Sequence, residues 1–270
     1  MNLDFTLATY KKLLKSFQKQ GYHFYTFEDW LKRKEEPKKY LILRHDVDEM
    51  PQNALEMAKF ENKSGIKSTY FFRIVKQSNR PEIIKKIVDL GHEIGYHYED
   101  FAFANGNDEL AIKTFRENLA YFRNFYDVKT VSMHGSSTSK YDNNDLWKKH
   151  DLKVEGLLGD TYLSTNFNEI YYITDTGYCW DGSKIAVRDV VKSSFLNTYH
   201  HTSDIIKAIE TNDFPTKAMM LAHTLWTDNF VKWCFIYLRE LVRNNVKQLS
   251  KKNKFVQKIY GSLVNRYWRR

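Results

Sequence analysis

Four consecutive residues, His45-Asp46-Val47-Asp48, carry the densest chemistry in the chain. They follow an apolar run, Tyr40-Leu41-Ile42-Leu43, that reads as a buried strand. Alternation along a strand puts Asp46 and Asp48 on one side. Two carboxylates at the end of one buried strand repel each other and are costly to desolvate. A metal ion offsets both penalties and leaves one carboxylate free as a base. Three histidines, His97, His134 and His223, close three later strand-like segments. Asp and neutral His suit Zn²⁺, Fe²⁺, Mn²⁺ or Co²⁺, with Zn²⁺ the first expectation. Such an ion lowers the pKa of bound water and polarises a carbonyl. A carboxylate that takes a proton and a histidine that returns one complete the parts for amide or ester hydrolysis.

The elements that position these residues alternate between strand and helix. Thr6 reads as an N-cap for Leu7, Tyr10, Leu13, Leu14 and Phe17, with Gly21 as the stop. Thr26 caps a short helix, so residues 6–34 form an N-terminal helical segment. Pro51 suits the first turn of a helix that ends at Gly65, and Pro81 one that ends at Gly91. Residues 109–126 form an amphipathic helix through Leu110, Phe115, Leu119, Phe122 and Phe125. Further helices are expected at 143–150, 202–211 and 229–247. Strands are expected at 40–45, 68–72, 92–97, 129–133, 152–158, 170–174, 184–188 and 217–222. This alternation predicts a parallel α/β sheet, either open and doubly wound or closed as a β/α barrel. In both, sites form at the C-terminal edge of the strands, where these Asp and His residues fall. No dinucleotide or P-loop glycine pattern occurs. Under strict alternation His45 and His92 face away from their neighbours and read as structural.

The runs LRHDVD (43–48), GIKSTYFF (65–72) and GHEIGYH (91–97) resemble the polysaccharide deacetylases of carbohydrate esterase family 4 over roughly residues 38–225. The resemblance implies a distorted barrel of about seven strands. It implies Asp46 as catalytic base, Asp48 and His97 as metal ligands, and His223 in Met220-Leu221-Ala222-His223 as general acid. Trp180 resembles a tryptophan flanking the cleft. Two departures stand out. The family's second metal histidine lies four residues after the first, where this chain has Phe101. The family's arginine motif is replaced by Met133-His134-Gly135-Ser136-Ser137. His134 is the first candidate for the missing ligand, with Glu99 and Asp100 as alternatives. Arg44, two residues before Asp46 and on the same side of the strand, can supply the lost arginine's charge; Arg44, Trp180 and Ser136 are the candidate substrate-binding residues. The implied reaction removes an acyl group, most simply acetyl, from an amino sugar or sugar precursor, nucleotide-linked or lipid-linked. The Phe101 departure also admits a catalytically silent sugar-binding or scaffold protein.

Composition sets the bounds. The chain has 270 residues, two cysteines without CxxC spacing, and a net charge of +9. Residues 1–248 are read as one domain, with no linker or repeat. No signal peptide is recognisable at the N-terminus, so a cytoplasmic location is expected. From Leu249 to Arg270 there are seven Lys/Arg and no acid, leaving about +2 for the rest, so total charge gives no case for nucleic acid. Phe255, Val256, Ile259, Tyr260, Leu263, Val264, Tyr267 and Trp268 form a helical apolar stripe opposite Lys254, Lys258 and Arg266. Residues 249–270 are therefore expected to form a basic amphipathic helix able to lie on the inner membrane face.

Overall fold

In the computed structural model, residues 3–135, 139–180, 190–252 and Ser262 are described. Ser136, the expected strand at 184–188 and nearly all of the tail after Lys252 lie outside them.

All strand pairs are parallel, as the strand-helix alternation requires. The strands are β1 (His23–Tyr25), β2 (Tyr40–Val47), β3 (Thr69–Phe72), β4 (Glu93–Tyr98), β5 (Thr130–Met133), β6 (Gly159–Asp160), β7 (Tyr171–Thr174) and β8 (Lys217–Leu221). Seven run in the order β6-β5-β4-β3-β2-β8-β7. β1 pairs with Tyr40–Ile42 of β2 and β3 with Arg44–Val47, while β8 pairs with residues 40–44. β1 and β3 therefore share one edge of β2, one below the other. The sheet curls into a distorted β/α barrel. Its two ends are bridged by side chains, with Tyr162 after β6 against Tyr172 of β7, ring centroids 6.3 Å apart.

Period-two alternation divides the core. Tyr40, Ile42, Phe71 and Met219 fill the barrel with Phe27 and Trp30. Leu41, Leu43, Ala218 and Met220 face outward under α1 (Leu7–Lys19) and α7 (Thr202–Glu210). Val47, Tyr70, Phe72, Ile94 and Tyr96 pack beneath α3 (Pro51–Lys63), α4 (Pro81–Asp89) and α6 (Asp108–Arg123). Thr6 and Thr26 cap their helices as expected, each accepting a backbone N–H three residues on, and Asn107 does the same for α6. α2 is Phe27–Lys32, α5 is Asp100–Phe103, and a 3₁₀ helix spans Asn143–Lys148.

Three expectations change. The strand expected at 152–158 is a series of turns closed by Gly156 at φ +70°; only Gly159–Asp160 pair as a strand. β1 is too short to show a period. The last helix, α8 (Phe230–Lys252), is longer than the helix expected at 229–247.

His45 and His92 are structural, on the outer face. Glu61 of α3, fully buried, accepts from the hydroxyls of Tyr10, Ser68 and Tyr70 and meets His45 Nε2 at 2.9 Å. Burial raises the Glu61 carboxyl, but His45 leads the interactions that outweigh it and hold the group near 2. The His45 imidazole donates from Nδ1 to the Ala222 carbonyl, 2.9 Å away, so β2 and β8 are tied just below Asp46 and His223.

Candidate metal centre

The inward register of each strand ends in a polar residue at the C-terminal mouth. On β2 the inward sequence is Tyr40, Ile42, Arg44, Asp46, and Asp48 follows one residue past the strand. Met50, at φ 56°, then turns the chain directly into α3. On β4 the inward positions are Glu93, Gly95 and His97. Gly95 is required there: a Cβ would lie 2.3 Å from the Phe71 ring. His134 follows β5 and His223 follows β8, both in inward register.

These residues converge. One ligand atom each from Asp48, His97 and His134 lies within 4.8 Å of the others. His97 Nε2 is 3.5 Å from Asp48 Oδ1 and His134 Nε2 is 3.7 Å from it. The tautomers follow from the partners behind the rings. His97 Nδ1 donates to the Ser132 carbonyl at 2.9 Å, which leaves Nε2 with a free lone pair. Burial lowers the His97 pKa, against the opposing pull of Asp46 and Asp48. His134 Nδ1 donates to Glu99 Oε2 at 3.0 Å, so its Nε2 is also bare. Asp46 Oδ1 and Asp48 Oδ1 are buried and hydrogen-bond to no group among the described residues. Buried carboxylate oxygens without hydrogen bonds, facing two imidazole lone pairs, fit a divalent cation of the zinc type.

Asp46 and His223 flank this cluster. Arg44 donates to Asp46 Oδ2 at 2.6 Å and to Ser132 Oγ at 2.9 Å. Burial opposes ionisation of Asp46, but Arg44, His97 and His223 hold its pKa below the usual carboxylate range. Asp48 is likewise lowered: burial raises it, and His134, Arg73 and His97 outweigh that. His223 Nδ1 donates to Asp175 Oδ1 at 2.7 Å, and Nε2 lies 3.9 Å from Asp48 Oδ2. Burial would lower the His223 pKa; the Asp175 hydrogen bond and charge raise it to about 10. Trp226 Nε1 and the His223 backbone N–H both donate to Asp175 and fix its carboxylate.

Phe101 packs on Tyr141, ring centroids 5.9 Å apart, and is not among the clustered residues. Of the alternatives at this position, Glu99 is gripped by Arg73 through two 2.8 Å bonds and turned onto His134. Asp100 instead accepts from Tyr96 and Asn118. Two expectations are corrected. Arg44 is wholly buried below Asp46, with its guanidinium over the rings of Phe71 and Tyr162, so it offers no surface to a substrate. Trp180 is 5% exposed, donates to Thr202 Oγ1 and stacks on Phe5, because an indole of that size is better used in the core.

Arg73, Ser132 and Asp175 were not singled out in the sequence. Arg73 continues the inward register of Thr69 and Phe71, and Ser132 that of Thr130, so alternation alone reaches both. Asp175 ends a strand like the other acids.

No family model matches the chain, and no curated protein matches it. Solved structures give similarities of low identity. A family 4 carbohydrate esterase from Bacillus anthracis is 14% identical at a TM-score of 0.43, over 89% of this chain and 92% of that one. A peptidoglycan N-acetylglucosamine deacetylase is 13% identical at 0.43, over 77% and 82%. A family 4 pseudoenzyme, also from Bacillus anthracis, is 13% identical at 0.42; 78% of this chain aligns, to 62% of that one, less than two thirds of its length. With TM-scores below 0.5, the functional reading rests on the residues of the site.

Proposed function

We propose that this protein is a metal-dependent hydrolase that removes an acyl group, most simply acetyl, from an amino sugar or sugar precursor. The observation that carries this reading is the clustering of Asp48, His97 and His134 between an ionised Asp46 and a protonated His223. Asp48, His97 and His134 would hold the ion, with Zn²⁺ the best match to one carboxylate and two imidazoles. The ion supplies Lewis acidity toward the acyl oxygen and toward water. Asp46, kept ionised by Arg44, accepts the proton that water releases as it attacks the acyl carbon. His223 gives its proton to the departing amine or alkoxide, so the leaving group departs neutral and the acyl group leaves as a carboxylic acid. Asp175 holds the His223 ring with its proton at Nε2, facing the cluster.

The sugar assignment is supported by the sequence resemblance in the three motifs at 43–48, 65–72 and 91–97. Nucleotide-linked and lipid-linked sugars both meet it. The silent-fold alternative drew its support from Phe101, and His134 supplies a third donor in its place.

Purified protein is tested for metal and for turnover of acetylated amino sugars. About one equivalent of a transition metal is expected. Asp48→Ala and His97→Ala are expected to abolish metal binding, and His134→Ala to weaken it comparably. Asp46→Asn is expected to keep the metal and lose turnover, because an amide cannot accept the proton. Equal metal loss in Asp46→Asn would remove Asp46 from the role of base. Protein that takes up no metal on soaking would favour the silent fold.

A further inference from the structure

α8 is apolar on both sides. The face toward the barrel buries Ile236 and packs Trp233 on the core, and beyond them it is polar. Arg239 and Arg243 bond Glu49 at 3.0 and 3.2 Å, Arg243 also bonds Glu240 at 2.9 Å, and Asn244 donates to the Gly177 carbonyl. The outward face carries Val231, Phe235, Leu238, Val242 and Leu249, exposed by 78, 62, 60, 62 and 57%. Their spacings of four, three, four and seven residues keep them on one stripe. Among the described residues, eight of the fourteen exposed large hydrophobics lie on this helix, Phe230, Tyr237 and Leu241 included. A patch of that kind marks a binding surface.

The charge says what covers it. The chain has 42 Lys/Arg and 33 Asp/Glu. Nine of the basic residues and none of the acids fall in 241–270, so residues 1–240 hold 33 of each. The whole +9 therefore belongs to the second half of α8 and the chain beyond it. A second copy seated on this stripe would bring two acid-free basic C-terminal segments together. A polyanion such as nucleic acid would meet an exposed face with no basic residue at its centre. An anionic bilayer meets both features, an apolar face to sink and basic groups to hold at the headgroups.

We propose that the outward face of α8 docks in the plane of an anionic lipid bilayer. Among the described residues no helix is long and apolar enough to cross a membrane, so the helix lies on the surface. The ion pairs to Glu49, the residue after Asp48, place α8 at the rim of the metal centre, and docking brings that rim to the lipid. The inference is independent of whether the centre hydrolyses anything.

The test mixes full-length protein with vesicles of phosphatidylglycerol and phosphatidylcholine, or of phosphatidylcholine alone, and reads the bound fraction by flotation. Binding to the anionic vesicles is expected at low salt. It should be lost on neutral vesicles and at about 1 M salt, where the screening length is about 3 Å. Each large apolar side chain kept out of the bilayer costs about tenfold in partition. Phe235→Asp/Leu238→Asp is therefore expected to bind at least about a hundredfold more weakly, with unchanged melting temperature and metal uptake. Val231→Ser should weaken binding in the same direction and guards against misfolding of the double variant. Three results would each overturn the proposal: no flotation with anionic vesicles at low salt, equal flotation of the variants, or a lipid-free dimer that the double variant splits.

Discussion

Glu99 lies outside the proposed metal cluster yet orients one of its residues. Its carboxylate is clasped by Arg73 and accepts the Nδ1 proton of His134, which fixes the tautomer and aims Nε2 at Asp48. Burial alone would raise its pKa; Arg73 and His134 bring it to about 2, so it is anionic near neutral pH. Glu99→Gln keeps an acceptor for His134 but takes from the buried Arg73 guanidinium the carboxylate it bonds twice. Outer residues of this kind are worth about 10–100-fold in metal affinity. Removing one partner of a buried ion pair costs up to about 3–5 kcal/mol. We expect Glu99→Gln to weaken metal binding within that range and to lower the melting temperature, measured by metal titration and calorimetry. An unchanged affinity would mean that His134 does not depend on Glu99 for its orientation, or does not ligate. Asp100, one residue on, serves as the contrast. It accepts from Tyr96 and Asn118 outside the barrel, so Asp100→Asn should leave metal affinity unchanged.

At the scale of elements, the site depends on two strands passing closely. Gly95 of β4 faces Phe71 of β3, and a methyl group there would meet the ring at 2.3 Å and the Thr130 carbonyl oxygen at 3.1 Å. Gly95→Ala must push β4 outward or rotate Phe71, at about 1–3 kcal/mol for an overpacked core. His97 sits two residues further along the same strand, so the displacement reaches the metal centre. Lower thermal stability together with weaker metal binding is expected. Phe71→Leu in the same chain should restore part of both, since it removes the ring that the methyl strikes. An effect on stability without one on metal affinity would show that β4 absorbs the strain locally. The strands that carry the site were legible because β2, β3 and β8 hold buried apolar or aromatic runs, each followed by polar residues at the mouth. β6 was not, because two residues cannot display a period, and the β-branched Val154 beside it lies in an exposed turn. Arg44 was legible as an inward residue but not as a buried one. Alternation gives the side of the sheet and not the depth, and depth decided that its charge serves Asp46 rather than a substrate. The same holds for Trp180, whose neighbours Phe5, Thr202 and Trp226 come from distant parts of the chain.

For the molecule as a whole, the barrel's polar layers pull stability in opposite directions as pH changes. At the closed lower end Glu93 lies inside the barrel, 2% exposed. It accepts from Thr69 Oγ1 at 2.6 Å, from the Glu28 backbone N–H at 3.0 Å and from Thr130. Burial dominates there and raises its pKa from 4.5 to about 7, against those hydrogen bonds. Asp160 and Asp100 are raised to about 6, again by burial first. In each case the folded state keeps a proton that the unfolded chain has released. Stability from these groups is thus full below the unfolded pKa and falls as pH rises through the folded one. For Glu93 the window runs from 4.5 to about 7, and the loss amounts to about 3 kcal/mol. Glu61 and Glu99, both held near 2, act in the opposite sense: their contribution is present above pH 4.5 and is lost only as pH falls toward 2. The lowered His97 and His92 work the other way up to pH 6.5, against three raised carboxyls, so the expected net result is a melting temperature that declines between pH 5 and 7. Glu93→Gln removes the largest single titration from that decline without changing the shape of the side chain. The expected result is a shallower slope of melting temperature against pH from about 4.5 to 7, with the variant gaining on the parent as pH rises. A slope identical in both proteins would show that Glu93 is ionised in the folded barrel across this range, stabilised by its three donors.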